Sequence, residues 1–331
     1  MQLIDLHCDT IYELKRRDDG SSLAKNSLSI DLDGMRRAGT ILQIFACFIY
    51  RKEWKTWEDG YAEVFRLIDR MDREIEENKD EIRIVHNGSE IEKNRKCGKI
   101  SAMVSLEEGG VLDGKPERLK VLKQRGIRLI TLTWNYENCI GYPNSRDRTV
   151  MEMGLKPFGK TIVKEMNRQG IIIDVSHLSD GGFWDCIRLS ETPVIASHSN
   201  CRALCGHPRN LSDEMLHALG EKGGVAGLNF YPHFVRENGK QVTIRTLCEH
   251  TLYMIRKGGE DLPAIGSDFD GYEIEEPRNE AYISHVGEME LLWEGMKQCG
   301  ITERQLDKIW HENAMRVLSE TGGKINESSC L

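Results

Sequence analysis

The chain has 331 residues, 39% of them apolar and 30% charged, which suits one large domain over residues 1–331 with a single broad core. A net charge of −8, with basic clusters such as Lys15-Arg16-Arg17 followed at once by acids, argues against nucleic acid as a partner. No stretch approaches the roughly 20 apolar residues that a bilayer span requires, so no membrane partner is expected and the chain is assigned to the cytoplasm.

Short apolar runs rich in Ile, Val and Leu alternate with amphipathic stretches, the rhythm of repeated βα units around a parallel sheet. In chain order the predicted strands are Leu3–Leu6, Leu42–Ile49, Ile100–Leu106, Ile127–Thr133, Ile171–Val175, Pro193–Ser197, Gly224–Phe230 and Ala264–Ser267. Between and after them, apolar positions at three- and four-residue spacing predict helices over Thr56–Asn78, Pro116–Gln124, Lys156–Arg168, Gly182–Ser190, Ser212–Lys222, Thr243–Lys257, His285–Gln298 and Glu303–Leu318. Ser212 reads as an N-cap, Gly126 and Gly170 read as helix stops, and the polar tail over 321–331 is expected to fray. Eight strands of this kind predict an α/β fold, a closed (β/α)₈ TIM barrel. The ten cysteines are scattered and are read as reduced thiols. The Asn-x-Ser triplets at Asn87, Asn210 and Asn326 carry little weight in a chain read as cytoplasmic.

In such a barrel the working residues sit at the carboxyl ends of the strands. The first predicted strand runs into His7-Cys8-Asp9, whose His and Asp are two apart and project from one face of an extended chain. The third ends in Glu107-Glu108-Gly109-Gly110, where paired glycines let backbone crowd a site and a carboxylate could bridge two ions. The fifth and sixth end in Asp174-Val175-Ser176-His177 and Ser197-His198-Ser199-Asn200, and the eighth in Ser267-Asp268-Phe269-Asp270-Gly271. Each motif alone has a plain explanation, a satisfied core histidine or a turn. Their recurrence at five strand ends points instead to a metal-dependent hydrolase site.

Taken in this order and spacing, with Arg209-Asn210-Leu211 and Asn229-Phe230-Tyr231 between them, these motifs resemble the membrane dipeptidase family, peptidase family M19 of the amidohydrolase superfamily, over nearly the whole chain. The resemblance implies two Zn²⁺ per chain, one on His7 and Asp9 and one on His177 and His198, with Glu108 bridging. Glu108 is preferred to Glu107 because it directly precedes the Gly-Gly pair. It further implies Asp268 as proton shuttle, Arg209 as partner of the substrate's terminal carboxylate, Tyr231 in the pocket wall, a small peptide as substrate, and a homodimer by analogy. Many family members carry a histidine after Thr-Leu-Thr that steadies the substrate carbonyl. Here Trp134 follows, and Asn135 is a candidate for the missing donor. The expected reaction is attack on the amide by a hydroxide held between ions about 3.5–4 Å apart.

Alternatives are an N-acyl amino acid deacylase or lactamase on the same metals, a metal-binding scaffold that has lost catalysis, and a separate zinc site on His198, Cys201, Cys205 and His207. Trp54, Trp57, Trp134 and Tyr136 are read equally as pocket walls or as packing on the barrel exterior.

Overall fold

In the computed structural model, which describes residues 1–17, 19–272 and 282–322, eight parallel strands close into a barrel. They are β1 (Leu3–Cys8), β2 (Thr40–Phe48), β4 (Ile100–Glu107), β5 (Ile127–Thr131), β6 (Ile172–Asp174), β7 (Val194–Ala196), β8 (Val225–Leu228) and β9 (Pro263–Ile265). Each pairs with the next, β2 pairs with β4, and β9 returns to β1 through Ile265 and Asp5. The expected residues 323–331 of the tail, and Asn326, lie outside the described residues.

A short strand the sequence did not announce, β3 (Ile82–Ile84), lies along β4 from Ile100 to Ala102. The pairing of β4 with β5 begins only at Val104, so β3 covers the stretch of edge that would otherwise be bare. Three residues give too little alternation to be read as a strand.

Period-two alternation stacks the barrel interior in layers. Ile44, Met103, Leu129, Ile172, Ile195, Val225 and Ala264, from seven strands, pack into one apolar cluster. Two residues further along, Ser105, Thr131, Asp174, Ser197, Gly227 and Gly266 form a layer of small or polar groups. Another two residues on stand Glu107, Thr133, Ser176, Ser199, Asn229 and Asp268. The apolar floor thus gives way to chemistry at the carboxyl-terminal mouth.

The predicted helices fall close to their expected positions, whereas the helices Thr10–Arg16, Leu32–Arg37 and Gly88–Lys96 were not expected. Thr56 caps Trp57–Glu77 through a reciprocal bond with Asp59, and Ser212 Oγ accepts from Met215 N–H. Gly126 (φ 101°) and Gly170 (φ 67°) turn the chain where helices end. The last predicted helix is interrupted by a π-helical turn, Lys308–Glu312, between Glu303–Asp307 and Asn313–Gly322. Among the described residues no helix is long and apolar enough to cross a membrane.

Candidate metal centre

The carboxyl ends of five strands and the turns after them bring His7, Asp9, Glu107, His177, His198 and Asp268 to one buried cluster at the barrel mouth. Glu107 lies at its centre. Its Oε2 is 3.4 Å from His7 Nε2, while its Oε1 is 3.2 Å from His177 Nε2 and 3.7 Å from His198 Nε2. Asp9 Oδ2 and Asp268 Oδ1 approach His7 Nε2 at 3.4 and 3.8 Å. The two oxygens of one carboxylate thus face different imidazoles, within a close cluster in which His7 stacks on His198 at 3.9 Å between ring centroids.

This corrects the expectation for Glu108. The alternation that points Met103 and Ser105 into the lumen points Glu107 there too and turns Glu108 away. Glu108, at φ 96°, accepts hydrogen bonds from Asn138 Nδ2 (2.6 Å), Gly110 N–H (2.8 Å) and Trp134 N–H (3.1 Å), and so ties the loops after β4 and β5 together. Burial raises its pKa to about 7, against the pull of these donors.

Hydrogen bonds at the far side of the His177 and His198 rings fix their tautomers. Ser197 Oγ donates to Asp174 Oδ2 (2.6 Å), so it accepts from His198 Nδ1–H (2.7 Å). Asn135 Oδ1 can only accept, so His177 Nδ1 carries the proton across their 3.0 Å contact. Both Nε2 atoms then bear lone pairs, and they face each other at 3.0 Å. Burial, with help from the Arg209 charge, holds both rings well below the ordinary imidazole range, so a shared proton is disfavoured. His7 Nε2 and Nδ1 and Asp9 Oδ1 are buried without a hydrogen-bond partner among the described residues. Opposed lone pairs and orphaned ligand atoms fit divalent cations.

The supporting carboxylates come from the layer beneath. Asp174 also accepts from Thr131 Oγ1, Ser176 N–H and Ser197 N–H, and Asp5 accepts from Ser267 Oγ, Ser267 N–H and His7 N–H. Sequence reading passed over Asp5 and Asp174 as part of their strands, although a buried acid two residues before the rim is a usable signal.

Asp268 closes the cluster from the turn after β9. It stands at φ 62°, and its Oδ2 accepts from Asn229 Nδ2 at 2.9 Å. Burial raises its pKa, as it does that of Glu107. Asn229, missed as a working residue, also donates to His198 O (3.2 Å) and accepts from Tyr231 N–H (2.6 Å), joining the turns after β7, β8 and β9.

A cavity of ≈ 330 Å³ opens above the cluster. Tyr12, Phe48 and Trp134 line one part of its wall, and Tyr231, Phe234 and Tyr272 another. Asn135 lines it as well, although its carbonyl is committed to His177. Arg209 lies one layer back, buried 5.1 Å from the Phe234 ring centroid, donating to Ser199 Oγ (3.1 Å) and His198 O (3.0 Å). It has no carboxylate in ion-pair range among the described residues, and burial lowers its pKa to about 10. A larger open groove between Glu117–Gln124 and Pro157–Gln169 carries none of these ligating groups.

Two other expectations resolve differently. Cys201 and Cys205 donate to the carbonyls of His250 (3.4 Å) and His233 (3.3 Å), so they form no zinc site with His198 and His207. Trp57 packs over Gly110 and under Arg51, and of Trp54, Trp57, Trp134 and Tyr136 only Trp134 lines the cavity.

The sequence matches the family described as Membrane dipeptidase (Peptidase family M19) over residues 1–329. It is 34% identical over 246 residues to an uncharacterized Klebsiella pneumoniae protein from the pqqA 5′ region, covering 72% of this chain and 88% of that one. It is 29% identical to an uncharacterized dipeptidase of Schizosaccharomyces pombe, covering 97% of this chain and 80% of that one. A metallo peptidase from Rhodobacter sphaeroides, liganded with a phosphinate mimic of the dipeptide L-Ala-D-Ala, shares the fold with a TM-score of 0.88 at 24% identity, over 97% of this chain and 99% of that one.

Proposed function

The chain belongs to the membrane dipeptidase family, peptidase family M19, whose members are hydrolases of peptide bonds, and from that premise we propose that it cleaves dipeptides with two Zn²⁺ ions held across Glu107. His7 and Asp9 would hold one ion with Glu107 Oε2, and His177 and His198 the other with Oε1. The observation that carries this reading is the division of the two Glu107 oxygens between the two sets, with His7 Nε2 on one side and His177 and His198 Nε2 on the other. Imidazole and carboxylate ligands suit zinc.

Ions held by these residues would supply Lewis acidity toward the scissile carbonyl and would make water acidic enough to react at neutral pH. Asp268 takes the proton of the attacking water at Oδ1 and delivers it to the departing amine, so one carboxylate serves as base and then as acid. Asn229 holds Oδ2 and leaves Oδ1 turned toward the cluster. Arg209, a buried cation with an unused Nε–H and no carboxylate partner among the described residues, receives the substrate's terminal carboxylate. Tyr231 and the aromatic wall confine the substrate to two residues. Acceptance of a D-residue on the leaving side is proposed by analogy with the ligand of the Rhodobacter sphaeroides protein.

The test is an ion count joined to rate measurements on dipeptides of both chiralities, N-acyl amino acids and lactams, repeated on Asp268→Asn. About two ions per chain are expected in both proteins, with dipeptide hydrolysis falling by about 10²–10⁴-fold in the variant. Full activity in Asp268→Asn overturns the shuttle, and turnover of N-acyl amino acids in place of dipeptides overturns the substrate class.

A further inference from the structure

Besides the cluster, the cavity wall carries two carboxylates, Glu13 and Asp270. Asp270 is already committed. Its Oδ2 accepts from Thr10 Oγ1 and its Oδ1 from Ser29 N–H, both at 2.7 Å. Glu13 differs. It stands half-buried in the first turn of the helix Thr10–Arg16, and its side chain makes neither a hydrogen bond nor an ion pair among the described residues. The guanidiniums close enough to influence it are engaged elsewhere, Arg16 with Glu53 Oε1 (2.6 Å) and Arg17 with Ser27 Oγ (3.0 Å).

Leaving a partly desolvated carboxylate unpaired is costly, and at a cavity wall the missing partner can come from the ligand. The walls beside it are suited to a cation. Tyr12 and Phe48 meet edge to face at 5.1 Å between centroids, and Phe48 and Trp134 at 4.9 Å. These rings carry negative faces that attract positive charge. No lysine or arginine lines the cavity among the described residues, and Arg16, over the outer part of the wall at 5.0 Å from the Tyr12 ring centroid, is held by Glu53.

We propose that Glu13 is a specificity residue that selects substrates by a positive charge, carried by the α-ammonium group or by a lysine or arginine side chain. This rests on the dipeptidase reading, with Arg209 taking the opposite end of the substrate. Glu13 touches none of the reacting atoms. Its effect is therefore on which dipeptide is held, and it falls mainly on KM when binding precedes slow chemistry.

The experiment compares kcat/KM of the native enzyme and Glu13→Gln on paired dipeptides that differ only in lysine against norleucine, each with and without its α-amino group. For a side-chain partner, the native preference for lysine over norleucine is about tenfold and shrinks to less than about threefold in Glu13→Gln. For an α-ammonium partner, the variant instead loses about tenfold on every free-amine substrate and not on the des-amino analogues. Equal loss on all substrates, des-amino ones included, or an unaltered set of ratios, overturns the assignment. Ion content is measured in parallel, so that a disturbed cluster registers separately. A native enzyme that hydrolyses none of these substrates contradicts the dipeptidase reading itself, a different failure from a dipeptidase indifferent to charge.

Discussion

At the level of single residues, two adjacent glutamates divide two tasks. Glu107 reaches the ligating cluster, and Glu108 fastens Asn138, Gly110 and Trp134. Their isosteric amides should therefore fail in different ways. Glu107→Gln removes the shared anion and is expected to lower ion content below one per chain, with dipeptide hydrolysis lost. Glu108→Gln should keep its ions. It sets an NH₂ group against backbone N–H donors, at a cost of about 1–3 kcal/mol in urea unfolding. Equal ion loss in the two variants would show that the assignment of tasks is wrong. That the two face opposite ways was legible in the sequence, but that the lumen takes the set of Met103, Ser105 and Glu107 is read only from the fold. The Gly-Gly pair pointed instead to Glu108, which the structure turns away from the cluster. The bond from Asn135 to His177 was not legible, since it joins loops 42 positions apart.

At the level of strands and turns, the apolar runs sufficed for the eight barrel strands, and helical periodicity for most of the helices. What they did not reveal is how the chain turns at the rim. His177 (φ 67°), Asp268 (φ 62°) and Asp270 (φ 67°) adopt left-handed backbone without glycine to announce it. Such turns are selected by the contacts they enable, which a local pattern does not encode. Glycine enters at places of close approach. A Cβ on Gly271 would meet Asp9 Oδ2 and Asp268 Oδ1, both side-chain atoms, whereas one on Gly227 would strike the Ser197 carbonyl of the neighbouring strand. Gly271→Ala should thus fold with little change in unfolding temperature while losing about 10–100-fold in kcat/KM, as misplaced working groups do. Gly227→Ala should lose about 3 kcal/mol or more, because backbone in the barrel wall must move. Calorimetry and rates on the two variants check the contrast. Unfolding of both at the native temperature would contradict it.

At the level of the whole molecule, the proposed ligands belong to β1 and the residue after it, to β4 and to the turns after β6 and β7, segments spread from position 7 to position 198 and brought together around the ring. Backbone ladders bind each strand to its immediate neighbours only, while the cluster joins opposite sides across the lumen. The proposed ions would then act as a rivet through the staves of a cask, gripping β4 to β1 on one side and to the ends of β6 and β7 on the other, none of which shares a seam with β4. Ligand that binds only the assembled barrel adds to its resistance to melting in proportion to the logarithm of its free concentration, about 2.7 kcal/mol at a hundredfold excess over Kd. Stripping the protein with a chelator should accordingly lower its melting temperature by about 5–10 °C. Glu107→Gln, already without its rivet, should melt at the same temperature in chelator and in zinc.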